Sequence, residues 1–447
     1  MPRKISVVVI PEVLIWLRES SGSSIEEVSK RLRTTSDTIL EFETGKKSPT
    51  LVQLKELSKL YKRPLASFFL SKPKEEKPLP NDYRFLPGRT DIFDKKTILA
   101  IRKSRSLQGI SRELSLNIRY ETAPKVRKVV LTDNPELIAA EYRKLFDLNL
   151  ETQRKIKDAY RLFSYLRDVL EDSNVLVFQF SMPVEDARGF ALADDIPSIA
   201  VINSKDTIEA RLFTLMHEFG HILLGETVID IPDESLKNRN NVERWCNAFS
   251  SSFLLPEESA RALFIRYHDR LTETDILNSL SRKYKVSKAT LLIKMLELNY
   301  ISNQEFEEVM SRYVREGTGK KTEEKKKMIR VTSDQRCLSE MGNKFVSLVA
   351  NNFDKEFITY GDALSYLSIK SKNFFETVKI IFVKTRFINS DVNPFFLCNS
   401  FRFLAPVLGS PILECCVHVH FPLSFYNHML IFHLHNKVRI IISQISF

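Results

Sequence analysis

The chain has 447 residues, 43% of them apolar and 28% charged, and carries a formal net charge of +11. At roughly 100–200 residues per domain, this predicts two to four domains of a soluble, globular protein. Glycine is scarce at 12 residues, and neither the P-loop nor the GxGxxG pattern occurs, which sets aside the glycine-rich nucleotide-binding folds. The basic balance suits a partner that carries phosphates. Five cysteines, Cys246, Cys337, Cys398, Cys415 and Cys416, are odd in number and lack CxxC spacing, so a reducing, cytoplasmic compartment is expected rather than a disulfide framework. The opening MPRKISVVVIPEVLIWLRES has no small-residue cleavage site and is not read as a signal peptide. No apolar run of about 20 residues precedes residue 380, so no membrane contact is expected there.

Residues 8–70 read as a run of short helices. Pro11 starts the first, with Val13, Leu14 and Leu17 on its apolar side, and Gly22 ends it. Ser24 caps a second helix, IEEVSKRL, and Glu27 stands at capping-box spacing. A short polar turn, Arg33-Thr34-Thr35, leads into a third helix from about Ser36 to Thr44, which Gly45 ends. Two short helices joined by a turn of three or four residues form a helix-turn-helix, whose second helix enters the major groove of DNA. Ser36, Asp37, Thr38 and Glu41 are then the exposed reading residues, and Thr44, Lys46 and Lys47 lie near phosphates. The amphipathic helix LVQLKELSKLY and the segment PLASFFL close this core. The string TTSDTILEFETGKKSPTLVQLKELSKLY resembles the xenobiotic-response-element, phage-repressor-like helix-turn-helix family, with Glu43, Gly45, Pro49 and Thr50 matching its E-x-G-x-x-x-P-T ending. Asp37 and Glu41 depart from a phosphate-seeking surface, and the first helix lacks an arginine-rich start.

Residues 71–80, SKPKEEKPLP, carry a proline-rich linker signal. The main domain spans 81–312. Three strand-like runs at 174–180, 188–194 and 198–204 predict a small sheet with an edge able to hold an extended peptide. Then TIEARLFTLMHEFGHILL runs as one amphipathic helix. Its His217 and His221 are four apart, so both imidazoles leave the same face one turn apart and reach one zinc at about 2.0–2.1 Å. Glu218 is the candidate general base. Only three histidines precede residue 400, and two of them stand here. Gly220 and Gly225 leave room for a substrate or a second backbone. A catalytic zinc takes three protein ligands and one open position, and Glu243, in the helix NVERWCNAFSSSFLLP, is the third candidate. Val242, Trp245, Phe249 and Phe253 form the apolar side of that helix. Glu226, Asp230, Asp233 and Glu234 are rival carboxylates in an expected loop.

The runs RLFTLMHEFGHILLGE and ERWCNAFSSSFLLP resemble the ImmA/IrrE family of zinc metallopeptidases over about 81–312. The resemblance implies an α+β architecture: an all-helical helix-turn-helix domain, then a zincin-like domain with a small sheet and the HExxH helix. It implies that His217, His221 and Glu243 bind zinc with Glu218 as base. It also implies an endopeptidase that cleaves or inactivates a regulatory protein such as a transcriptional repressor, brought to DNA at an operator. The alternative classes are a non-proteolytic DNA-binding regulator and an antitoxin-like partner of a toxin. A homodimer fits a helix-turn-helix that reads two half-sites.

The segment 286–302, VSKATLLIKMLELNYIS, imitates a second DNA-binding unit but is expected to pack against the main domain. A basic linker at 313–331 and a small helical module at 332–378 follow. Residues 379–447 form an atypical, apolar tail, read as poorly folded, holding His418, His420, His428, His433 and His435. No function is read from its histidines, because few carboxylates accompany them.

Overall fold

A computed structural model of the protein describes residues 6–75, 93–230, 241–319, 332–371, 374 and 377. The tail at 379–447, Asp233 and Glu234, residues 76–80 of the first expected linker and residues 320–331 of the second lie outside these residues.

The N-terminal helices are α1 (Pro11–Glu19), α2 (Ile25–Leu32), α3 (Ser36–Glu43) and α4 (Leu51–Tyr61), followed by a 3-10 turn at Leu65–Phe69. Val13, Leu17, Val28, Ile39, Leu54 and Phe68 fill their common core. Side-chain caps start three of the helices: the hydroxyls of Ser24, Thr35 and Thr50 accept from the amides of Glu27, Thr38 and Gln53. Arg33 takes the left-handed conformation that ends α2, which sets the tight turn into α3. Glu43, the first residue of the E-x-G ending, is buried and receives the Arg18 guanidinium at 2.6 Å, so this part of the motif staples α3 to α1. The capping box expected at Ser24 forms only halfway. The Glu27 carboxylate instead meets Lys95 Nζ at 2.6 Å.

Lys95 belongs to α5 (Lys95–Asn117), the helix that carries the N-terminal domain. Arg102 of α5 donates to the carbonyls of Ser20, Tyr61 and Lys62 at 3.1–3.3 Å. Gly22 sits against Ile98, where a Cβ would come within 2.6 Å of the isoleucine Cδ1.

The central sheet has four strands, β1 (Val175–Phe180), β2 (Gly189–Leu192), β3 (Ser198–Asn203) and β4 (Val228–Asp230), in the order β1-β3-β2-β4. β1 and β3 are parallel, and β2 runs antiparallel to both β3 and β4. The three expected strands are present, and β4 adds a fourth, so Asp230 lies in a strand rather than in the expected loop.

β1, β2 and β3 are buried at every position, and their side chains divide by the two-residue period of a strand. Val175, Val177, Ala191, Ala200 and Ile202 face one core, and Leu176, Phe178, Phe190, Leu192, Ile199 and Val201 face another. The first core holds α6 (Pro135–Leu145), α8 (Ala159–Asp172), α9 (Ile208–Leu224), α10 (Asn241–Leu254), α11 (Glu257–Arg266), α12 (Thr274–Tyr284) and α13 (Lys288–Glu297). The short α7 (Leu150–Lys155) packs at its border through the buried Gln153 and Leu150. The segment 286–302 is placed here too, with Leu291, Leu292 and Met295 fully buried, as expected. After α14 (Asn303–Gly319), the helices α15 (Ser333–Met341), α16 (Asn343–Asp354) and α17 (Tyr360–Leu367) join α5 in the second core. The C-terminal helices therefore share a core with the sheet. A buried ion pair, Arg167–Glu171 at 3.0 Å, fastens them: Arg167 donates to the carbonyls of Leu338, Ser339 and Val177, and Glu171 accepts from the Lys344 amide. Burial raises the Glu171 carboxyl against the lowering effect of Arg167. A Cβ on Gly342 would fall 2.1 Å from Glu171 Oε1, so the glycine admits the carboxylate at the start of α16.

Candidate metal centre

α9 is capped at its start by the Thr207 hydroxyl, which accepts from the Ala210 amide, and ends at Gly225, with φ of 77°. Gly225 thus terminates the helix, and among the described residues no atom lies within 4 Å of a Cβ built there. Gly220 is the close-approach glycine. A Cβ there would lie 3.2 Å from Cys246 Sγ and 3.4 Å from Cys246 Cβ, so α9 and α10 meet at this pair. Three further bonds tie the helices in place. Ser250 Oγ donates to the Phe213 carbonyl at 3.0 Å, Trp245 Nε1 to the Asp133 carbonyl at 2.8 Å, and the Val129 amide to the Leu223 carbonyl at 3.0 Å.

This contact brings Glu243, one turn before Cys246, to the two histidines on either side of Gly220. Glu243 Oε2 is 3.3 Å from His217 Nε2, Glu243 Oε1 is 3.2 Å from His221 Nε2, and the two Nε2 atoms are 3.1 Å apart. Ligands at ~2.0–2.1 Å from a tetrahedral zinc lie roughly 3.3 Å from one another; here one ligand atom from each of the three residues lies within 4.8 Å of the others, a group that could hold a metal ion. Two imidazoles and one carboxylate also match the donor set of a zinc with an open position. His217, His221 and Glu243 are 2%, 0% and 1% exposed, so the charge of the carboxylate must be met inside the protein. Burial pushes the Glu243 carboxyl up. The charge of His217 and hydrogen bonding to both imidazoles outweigh it, and the group is held well below the usual carboxylate range. Among the described residues no other group of three or more His, Cys, Asp or Glu has this geometry.

Glu218, fully buried, lies on the sheet side of α9. A Cβ on Gly189 would fall 2.8 Å from Glu218 Oε1, 2.6 Å from Thr214 Cγ2 and 2.8 Å from the Val201 carbonyl oxygen. The bare α-carbon of Gly189 therefore lets the carboxylate lie against β2. Sequence reasoning read 188–194 as a strand and missed this role; a glycine inside a strand run was the available signal. It also missed Cys246, whose thiol burial pushes well above the ordinary range, with Glu243 and Glu218 adding to the shift. Cys246 is a packing residue in its neutral form.

Of the candidate DNA-contacting residues, Ser36, Asp37, Thr38 and Glu41 stand on α3, and Thr44, Lys46 and Lys47 follow it; all are half-buried or exposed. Thr44 caps α3 by donating to the Leu40 carbonyl, and Lys47 reaches Glu41 at 3.4 Å.

The family model for the IrrE N-terminal-like domain matches residues 170–296, from the end of α8 through nearly all of α13. A helix-turn-helix family model matches residues 14–68. A helix-turn-helix region thus precedes an IrrE-like region in one chain. No curated protein matches the chain. The IrrE-like match encloses His217, His221, Glu243 and Glu218, and it includes α12 and nearly all of α13. No helix among the described residues is long and apolar enough to cross a membrane.

Proposed function

We propose that the protein is a DNA-binding zinc endopeptidase that cleaves or inactivates a regulatory protein, such as a transcriptional repressor. The observation that carries this reading is the buried His217, His221 and Glu243 cluster with zinc-ligand spacing, next to Glu218. A zinc ion held there would supply Lewis acidity that polarises a carbonyl and acidifies a water. Glu218 is the general base: it takes a proton from the attacking water and returns it to the leaving amine. Gly189 positions that carboxylate by letting it rest on β2. The helix-turn-helix brings the peptidase to an operator. Ser36, Asp37, Thr38 and Glu41 face base edges, and Thr44, Lys46 and Lys47 approach phosphates. The Lys47–Glu41 pair is exposed on both sides, so Lys47 exchanges it for a phosphate at little cost. Two half-sites would be read by a homodimer.

The test is detection of new protein N-termini in the native host, wild type against Glu218→Gln, with and without a zinc chelator. Termini that require both zinc and Glu218 establish the protease and name its target. No such termini under several stress conditions would remove proteolysis and leave a DNA-binding regulator or an antitoxin-like protein.

A further inference from the structure

A second feature lies outside the metal centre, between α7, which precedes the IrrE-like match, and α12, which lies within it. Between α7 and α12 runs an open trough of about 1280 Å³. Six cationic side chains line it: Arg154, Lys155 and Lys157 from the α7 side, and Arg282, Lys283 and Lys285 from the α12 side. Two carboxylates line it as well, and both are engaged. Glu151 pairs with Lys155 at 2.6 Å, and Asp275 pairs with Arg270 at 3.1 Å.

Basic residues often gather in the last turn of a helix, where they offset about half a negative charge. That need is met here by a single residue. Lys285 is buried, and its Nζ donates to the carbonyls of Gln153 and Arg154 at 2.9 and 2.7 Å, in the last turn of α7. It also donates to the Lys283 carbonyl at 3.1 Å, at the end of α12. One ammonium thus serves both helix ends and fixes them side by side. Two helix ends bring a total of about one negative charge, well short of the remaining positive charge in the trough. Arg154, Lys157 and Arg282 are exposed and Lys283 is half-buried, and none of the four forms an ion pair among the described residues. Lys283 lies 5.6 Å from the Tyr284 ring centroid.

We propose that this trough binds the phosphate backbone of a nucleic acid, as a second contact separate from the helix-turn-helix. The lining favours phosphates over bases, because it offers no aromatic ring on which a base would stack. Binding is therefore independent of sequence and steeply dependent on salt. The α12–α13 pair takes part through the exposed side of α12, since the apolar side of α13 is consumed in the core.

The experiment uses the full chain, a labelled duplex and a labelled single strand of random sequence, and fluorescence anisotropy across a salt series. The parent is the Lys46→Gln/Lys47→Gln protein, which removes the lysines beside the recognition helix. Against it stands the same protein with Arg154→Gln, Lys157→Gln, Arg282→Gln and Lys283→Gln added. Removing one phosphate-binding cation lowers the slope of log affinity against log salt by about 1, so a fall of about 2 or more with either probe is expected. The two probes distinguish a duplex from a single strand as the ligand. If the combined variant does not fold, Lys157→Gln and Arg282→Gln alone each lower the slope by about 1. An unchanged slope on both probes overturns the proposal. So does a loss of affinity for a polyglutamate peptide with nucleic-acid binding intact, which would assign the trough to an acidic protein.

Discussion

Gly220→Ala tests whether contact between two helices sets the zinc site. The added methyl would lie 3.2 Å from Cys246 Sγ and 3.4 Å from its Cβ. Carbon atoms pack at ~3.5–4.0 Å, so α9 and α10 must part by about 0.3–0.5 Å. Zinc sites tolerate roughly 0.2 Å in ligand distance. Because Glu243 rides on α10 and both histidines on α9, the parting falls directly on the ligand set. Zinc affinity should drop by about 10–100-fold, the range seen when groups supporting metal ligands are disturbed. Alanine also favours a helix interior over glycine by about 0.5–1 kcal/mol, so the melting temperature of the zinc-free protein should barely change. Cys246→Ala removes the sulfur and leaves the methyl room. The double variant should therefore recover zinc affinity to within a few-fold of the Cys246→Ala protein. Competition against a chromophoric chelator measures each affinity. An unchanged affinity in Gly220→Ala, or a loss that Cys246→Ala does not reverse, refutes the account.

Three further outcomes are expected. Gly189→Ala places a methyl against the Glu218 carboxylate and the Val201 carbonyl; it should keep zinc and lower the rate of target cleavage about 10²-fold, as a misplacement of ~1 Å does, and full activity would show that Gly189 does not position the base. The Cys337 thiol is pushed up to about 12 by burial, and the Cys246 thiol is also raised. Both stay neutral at pH 8, so peptide mapping after iodoacetamide should find them unlabelled in the native protein and labelled in denaturant. Rapid native labelling of either would contradict its placement. Arg102→Ala removes three hydrogen bonds to the N-terminal domain and should loosen it by about 1–3 kcal/mol. Lys95→Ala breaks a partly exposed ion pair with Glu27 and one hydrogen bond to Ser23 and should cost less, about 1 kcal/mol. Hydrogen exchange in α2 and at the end of α4 reports both changes, and equal effects would disprove this ranking.

Local chemistry made much of this protein legible from its residues. Spacing of four places His217 and His221 on one helix face whatever surrounds them, and Glu218 follows from adjacency. Ser24, Thr35 and Thr50 act on amides within three residues of themselves, so the short N-terminal helices are written in the chain. The tertiary structure decided what depends on distant segments. Glu243 joins the two histidines because Gly220 and Cys246 let two helices touch, a contact with no periodic signature. Gly189 gained its role from a carboxylate 29 positions away in the chain. Glu27 left its expected cap for Lys95 because α5 brought a cation to it. The helices after residue 332 joined the sheet core for a related reason: β1 to β3 are apolar on both faces, and a two-sided strand needs a second layer that the sequence does not locate.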